Sequence, residues 1–290
     1  DVAFDGDLTR KWLPVNSYIG GNEHAVLHLL YSRFITMVLH DAGRLGFEEP
    51  YTRFRAHGHI IREGAKMSKT QGNIVNPDEY IEEWGADAFR TYLMFLGPYE
   101  QGGDFRDQSI SGTRRFLDRL FASVHAMSSE GEPDTDVMRK LHQTIRKVGD
   151  DISRLSYNTA IAAMMEYMNV LRKGERTPHR DEVYPMITLV SPFAPHLAEE
   201  LWEYASNGRG TGSVFDAGWP QFDPALAAEE SIDLVVQVNG KLRAKIRVSR
   251  DIREEDAVAA AMSDPTVARF AAGVPSKIVF VPGRLLNIVV

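Results

Sequence analysis

Two lysines stand three residues apart in the segment Lys66-Met67-Ser68-Lys69-Thr70, bounded by Gly64 and Gly72. A lysine ammonium is a compact charge on a flexible stem. A pair of them in a glycine-flanked loop can follow phosphate oxygens as negative charge moves onto a leaving group. The hydroxyls of Ser68 and Thr70 add donors for the same oxygens. This equips the segment for a reaction that expels a polyphosphate, although a solvated turn has the same composition.

A second group lies upstream. Tyr18-Ile19 reads as the end of a strand and Gly20-Gly21 as a turn. Residues 23–40 then read as a helix with Leu27, Leu30, Tyr31, Phe34, Val38 and Leu39 on its apolar side. Glu23, His24 and His28 fall in its first turns. Gly20 and Gly21 allow a ligand close to the backbone, Glu23 can accept hydrogen bonds from ribose hydroxyls, and the histidines line the same site. Two other readings compete with this one. Histidines four apart share a helix face and, with His57 and His59, suggest a metal hydrolase; equally, they are partly buried histidines at a helix start. The familiar zinc helix places its Glu directly after the first His, whereas here Glu23 precedes His24, so no metal site is assigned.

These residues need elements to hold them. Up to about Arg106, short apolar runs alternate with amphipathic helices across glycine-rich joints, an α/β pattern. Asn76-Pro77-Asp78-Glu79 supplies an N-cap, a proline at the first helical position and an acid at the third. Gly85 closes that helix, Asp87 can cap the next, and Phe89, Tyr92, Leu93 and Leu96 share a face. Residues 112–206 are almost purely helical in pattern, with Phe116, Leu117, Leu120, Phe121 and Val124 on one stripe and Ala160, Met164, Tyr167, Met168 and Leu171 on another. Residues 207–212, Asn-Gly-Arg-Gly-Thr-Gly, read as a linker. Asn239-Gly240 then marks a hairpin, whose second strand alternates Lys241, Arg243, Lys245 and Arg247 with Leu242, Ala244, Ile246 and Val248. That spacing predicts one basic face and one core face. A short helix over 254–262 and a second apolar pair around Pro282-Gly283 complete a small α+β module.

Bulk properties narrow the class. The 290 residues allow two or three domains, and 43% apolar with 25% charged residues is ordinary for a soluble globular protein. No apolar run approaches the about 20 residues of a membrane span, and no leader opens the chain, so the expectation is a cytoplasmic protein without membrane contact. The absence of cysteine excludes a disulfide framework, a thiolate zinc site and a cysteine nucleophile. A net charge of −7 argues against wholesale electrostatic binding of nucleic acid. Residues 231–290 nevertheless carry nine Lys and Arg against six Asp and Glu, so the tail is the basic end. Residues 1–14 read as the interior of a longer chain.

Several blocks together resemble one family. The run Tyr18-Ile19-Gly20-Gly21-Asn22-Glu23-His24 continuing to Phe34 is similar to the corresponding block of leucyl-tRNA synthetases, more than of the valyl or isoleucyl enzymes. Lys66 to Thr70, Gly72-Asn73, Pro77, and Gly85-Ala86-Asp87 with Arg90 resemble that family's KMSKS loop and the stretch after it. Asp104-Phe105-Arg106 and Arg115-Phe116-Leu117 continue the likeness. Pro192-Phe193-Ala194-Pro195-His196 with Glu199-Glu200-Leu201-Trp202 resembles the helical anticodon-binding domain of class I synthetases, and residues 235–241 the bacterial leucyl C-terminal domain. Thr70 stands where the family has Ser and keeps the hydroxyl. The His-Ile-Gly-His half of the active site, the inserted editing domain and the leucine-specific insertion before the lysine loop are not in this sequence.

The resemblance implies a multidomain protein. Residues 1–110 would be the second half of a Rossmann-like catalytic core, 111–225 a helical anticodon-binding domain, and 226–290 a small α+β tRNA-binding domain. It implies ATP as a substrate with Mg2+, and as partners leucine, tRNA(Leu) and the missing N-terminal half of the enzyme, in the same gene or as a separate subunit. Lys66 and Lys69 would be catalytic, and Gly20, Gly21, Glu23, His24, Met67, Ser68 and Thr70 would join them in binding ATP. His28 is a candidate for the adenylate pocket, residues 56–60 for a strand whose backbone meets adenine, and Lys241, Arg243, Lys245 and Arg247 for tRNA. The fragment by itself is expected to be inactive. The rival reading is a stand-alone tRNA-binding module or a subunit of a split synthetase.

Overall fold

The computed structural model describes residues 4–174, 176–206, 212–228, 231–250, 252–273 and 275–290. Chain contacts divide it into two compact units, Asp1–Phe222 and Asp223–Val290. Residues 207–211 of the expected linker lie outside the described residues.

The first unit opens with helix α1 (Gly6–Trp12), capped by Asp5, whose carboxylate accepts from the amides of Asp7 and Leu8 at 2.8 and 2.9 Å. Strand β1 (Tyr18–Gly21) pairs in parallel with β2 (Phe54–His57), which brings Gly21 opposite His57. The crossover between them differs from the continuous helix expected over 23–40. A 3-10 turn spans Asn22–Val26, Leu27 leaves the helical region at φ −116° and ψ −109°, and α2 begins afresh at His28–Asp41. A one-residue break hardly disturbs apolar spacing, so periodicity cannot see it. The helix's expected apolar side is also largely uncovered. Leu27, Leu30, Tyr31, Phe34 and Val38 are exposed, while Leu29 and Thr36 are the buried residues of α2.

Strand β3 (Ile60–Arg62) lies between antiparallel β4 (Ala65–Lys66) and parallel β5 (Gly103–Phe105). The capping residues place α3 (Pro77–Trp84) where the sequence predicts it, with Asn76 Oδ1 accepting from the Asp78 amide at 3.3 Å. Gly85, at φ 87°, ends it and admits α4 (Ala86–Phe95). Asp87 does not cap α4 as expected. It sits inside the first turn, and its carboxylate turns to another helix, described below. Phe89 and Tyr92 of α4 pack with Phe105 and Ile110 in a small core that also takes Met67, Val75, Tyr80 and Trp84.

Five helices follow: α5 (Ile110–Ala126), α6 (Thr135–Ser153), α7 (Tyr157–Leu171), α8 (Arg180–Val190) and α9 (Pro195–Ala205). Both expected stripes face the bundle core, except that Phe121 is 41% exposed. Glu182 is fully buried and tied on every side. It accepts from the amides of Asp134 and His179 at 2.7 and 3.0 Å and from Arg176 Nη2 at 2.8 Å. Burial, and then the Glu182 charge, raises the Tyr167 phenol, which donates to the Glu182 carbonyl at 2.6 Å.

In the second unit, β6 (Ser231–Val238), β7 (Lys241–Ser249), β8 (Lys277–Val281) and β9 (Leu285–Val289) form a sheet in the order β7-β6-β9-β8, in which β6 and β9 run parallel. Asn239 and Gly240, at φ 53° and 74°, make the hairpin turn. Helices α10 (Glu254–Met262) and α11 (Pro265–Phe270) connect the hairpins, and Ala257, Ala261 and Val267 seal a core with Leu234, Val236, Val238, Leu286 and Ile288.

Candidate active site and nucleic-acid surface

The lysine loop leaves β4 directly and is folded by its own polar atoms. The Ser68 amide donates to Asn73 Oδ1 at 2.9 Å, and Asn73 Nδ2 donates back to the Lys66 carbonyl at 3.2 Å, so one side chain spans the loop. Ser68 Oγ accepts from the Gln71 amide at 3.2 Å and lies 3.2 Å from Thr70 Oγ1, and Gly72 closes the turn at φ 65°. Met67 anchors the loop in the small core beneath. Lys66 and Lys69 remain exposed, and neither ammonium meets a carboxylate among the described residues. At the preceding hairpin the Gly64 amide donates to Asp104 Oδ1 at 3.1 Å. That bond, with the guanidinium of Arg106, holds the Asp104 carboxyl below its ordinary range. Behind the loop, Tyr80 donates to Asp107 at 2.6 Å, and burial together with that carboxylate pushes its phenol up to about 12.

The upstream group comes together around Glu23. A Cβ on Gly21 would fall 2.2 Å from Glu23 Oε2, so the carboxylate folds back over a backbone that only glycine leaves open. The Glu23 carboxyl is lowered, first by its own backbone amide and further by the nearby His59, His24 and His57. His28 meets His24 edge-on, with ring centroids 6.5 Å apart, and leads into an aromatic cluster. Its Nδ1 lies 3.0 Å from the Tyr18 hydroxyl, and its ring stacks on Tyr18 and meets Tyr31 edge-on. Among the described residues no three His, Asp or Glu side chains are arranged to hold a metal ion. His57 and His59 also border a cavity of about 440 Å³ closed by Leu93, Tyr99 and Tyr157. Gly58 and Gly102 permit the backbone crossing there, since a Cβ on Gly102 would stand 2.0 Å from the His59 carbonyl. Tyr99 and Tyr157 have no periodic or motif signal in the sequence. Asn73 and Asp104 do have one: each is a short polar side chain just beyond a glycine turn or strand, positions that favour local backbone bonding.

The basic strand departs from its expected alternation. The β6–β7 register shifts between Val236, opposite Ala244, and Gln237, opposite Leu242, which makes Arg243 the extra residue of a β-bulge. Parity therefore inverts toward the hairpin. Lys241 lies opposite buried Val238 at the end of the sheet, where it is itself exposed, and Leu242 lies opposite Gln237 on the outer side, 57% exposed. The Arg243 guanidinium sits 3.6 Å above the ring of Phe270 on α11. Lys245 and Arg247, opposite Val235 and Asp233, are the two cations that share the outer face.

A family model described as "tRNA synthetases class I (M)" matches residues 19–118, and one described as "Anticodon-binding domain of tRNA ligase" matches residues 134–258. The fold agrees, with an α/β segment bearing the lysine loop followed by a helical bundle, the order in which the class I tRNA synthetase model and the anticodon-binding model match. The likeness to leucine–tRNA ligases runs through the whole chain. That of Clostridium perfringens is 41% identical over 100% of this chain and 38% of its own length. The ligase of Herpetosiphon aurantiacus is 42% identical over 100% and 37%, and that of Thermotoga maritima 40% over 100% and 38%. The chain belongs to the leucyl-tRNA synthetase family, and it spans well under half the length of these relatives. Among solved structures, the LeuRS of Agrobacterium radiobacter K84, in a ternary complex with tRNA and LeuAMS, superposes with a TM-score of 0.82 at 34% identity, covering 99% of this chain and 39% of that one. The methionyl-tRNA synthetase of Mycobacterium tuberculosis, at 18% identity and a TM-score of 0.51 over 67% of this chain and 45% of that one, shares the fold.

Proposed function

We propose that this chain works as part of a leucine–tRNA ligase in the cytoplasm, which joins leucine to ATP as leucyl-adenylate, releases pyrophosphate and passes the leucyl group to the 3′ end of tRNA(Leu). The observation that carries this reading is the lysine loop, braced internally by Asn73 and presenting Lys66 and Lys69 unpaired, within a chain that matches leucine–tRNA ligases throughout. In-line attack on the α-phosphorus asks the protein mainly to position groups and to stabilise charge. Lys69 meets the pyrophosphate as its charge develops, Lys66 supports the phosphates from the end of β4, and Ser68 and Thr70 donate to them. Gly20, Gly21, Glu23 and His24 bind the nucleoside side, with Glu23 accepting from ribose. Mg2+ would accompany ATP; the described residues offer no cluster of three side chains that could hold it, and no step here depends on it. Residues 1–110 supply the second half of the nucleotide site, 111–225 and 226–290 grip the tRNA, and the first half of the site comes from another stretch of polypeptide.

Lys69→Ala in the complete enzyme is expected to lower leucine-dependent pyrophosphate exchange by roughly 10²- to 10³-fold, the scale for losing one preorganised charge-stabilising group. Exchange at the wild-type rate would sink this assignment. The chain alone is expected to show no exchange, and leucine-dependent exchange by it would overturn the division of the site. An inactive tRNA-binding subunit remains the second reading, favoured by Lys245 and Arg247 side by side on an outer sheet face.

A further inference from the structure

Helix α4 packs on the bundle through Ala88 and Met94, is tied to it by polar bonds at its first turns, and meets the lysine loop through the small core that takes Met67. At its first turn Asp87 Oδ2 accepts the Leu197 amide at 2.6 Å and Oδ1 lies 2.8 Å from His196 Nδ1. Helix α9 has no cap of its own: Ala194 precedes it, Pro195 opens it, and the orphan amide at its third position is satisfied by a carboxylate more than a hundred residues away in sequence. The Asp87 side chain is 12% exposed, whereas that of His196 is 77% exposed. One turn on, Arg90 Nη2 donates to the Pro192 carbonyl at 3.3 Å and Thr91 Oγ1 to that of Phe193 at 3.5 Å. All four bonds therefore reach the same α8–α9 corner. From the same helix Phe89 and Tyr92 enter the core that holds Met67, the second residue of the lysine loop. Beside the joint an apolar cleft of about 600 Å³, bordered by Trp84, Leu117, Phe121 and Leu197, stays open.

We propose that Asp87 is a positioning residue that couples the bundle to the lysine loop, so that tRNA on the bundle and adenylate at the loop alter one another's binding through α4. This rests on the reading of the chain as part of a leucine–tRNA ligase. Linkage requires the coupling to be equal seen from either ligand. The test uses the complete synthetase and measures tRNA(Leu) affinity with and without a non-hydrolysable leucyl-adenylate analogue, in the wild type, Asp87→Asn and His196→Ala. The wild type is expected to show coupling of at least about fivefold, the low end for communicating sites. Asp87→Asn, which turns one acceptor into a donor, is expected to bring it below about twofold while tRNA affinity without the analogue holds within about twofold. His196→Ala removes one exposed partner of Asp87 and leaves the Leu197 amide bond in place, and is expected to fall between them. A merely structural role would instead weaken both ligands and lower Tm while leaving the ratio alone. Coupling retained in both variants, or absent from a wild type that binds both ligands, overturns the proposal. A wild type that binds neither overturns the functional reading, and the joint with it.

Discussion

Asn73 spans the lysine loop with both ends of its amide, so Asn73→Ala removes two bonds from the segment that must present Lys66 and Lys69. At about 1 kcal/mol for each such bond, the ATP KM of the complete enzyme is expected to rise by up to roughly thirtyfold. Exchange kinetics over a range of ATP concentrations checks this, and an unchanged KM would mean that the loop keeps its shape without Asn73. Asp104 braces the hairpin before the loop, and its ionisation fixes the pH range of that brace. Its folded value is depressed, so the stabilisation is present above the ordinary 3.8 and is lost as pH falls through the lower folded value. Carboxyl chemical shifts followed by NMR should titrate with a midpoint below 3.8, and Asp104→Ala, which removes the acceptor, should release the Gly64 amide at every pH.

At the scale of elements, Glu182 joins the start of α6 to the start of α8. Glu182→Ala strands the Asp134 and His179 amides and the Arg176 guanidinium, and is expected to cost roughly 3–5 kcal/mol, the scale for breaking a buried pair from one side. Urea denaturation reads the loss directly, and a midpoint within error of the wild type would refute it. The helix starts at Asn76-Pro77, the Asn239-Gly240 hairpin and the two bundle stripes were legible because capping, positive φ and apolar period are local properties written in adjacent residues. What escaped the sequence was set by distant partners. Leu27 breaks a helix whose spacing runs on undisturbed, Arg243 inserts one residue into an alternation that otherwise counts in twos, and Asp87, suited by type to cap its own helix, caps α9 instead. At the site, the residue types of the lysine loop were readable, whereas Tyr99 and Tyr157 reach their cavity only because tertiary contacts bring them there.

For the whole molecule, the outer pair Lys245 and Arg247 sets an electrostatic expectation. Replacing both by Ala in the complete synthetase should weaken tRNA binding and reduce the slope of log affinity against log salt by about two, leaving tRNA-free pyrophosphate exchange intact. The same double change at Lys241 and Arg243 should reduce it less, since Arg243 is committed to Phe270 and the bulge turns the two away from a shared face. Salt titrations of the two variants distinguish these outcomes, and equal slopes would restore a single basic face.

Helix α2 sets the colloidal behaviour of the chain. With Val26 and Leu27 just before it, its Leu30, Tyr31, Phe34, Ile35, Met37 and Val38 all face outward, each at least 45% exposed. Fully covering a side chain of this kind is worth about 1.5–3 kcal/mol. Even partial cover of eight rivals the entire stability of an ordinary domain, about 5–15 kcal/mol. In solution that surface acts as an adhesive: light scattering from the isolated chain should rise with protein concentration and fall when Leu30 and Phe34 are both changed to Ser.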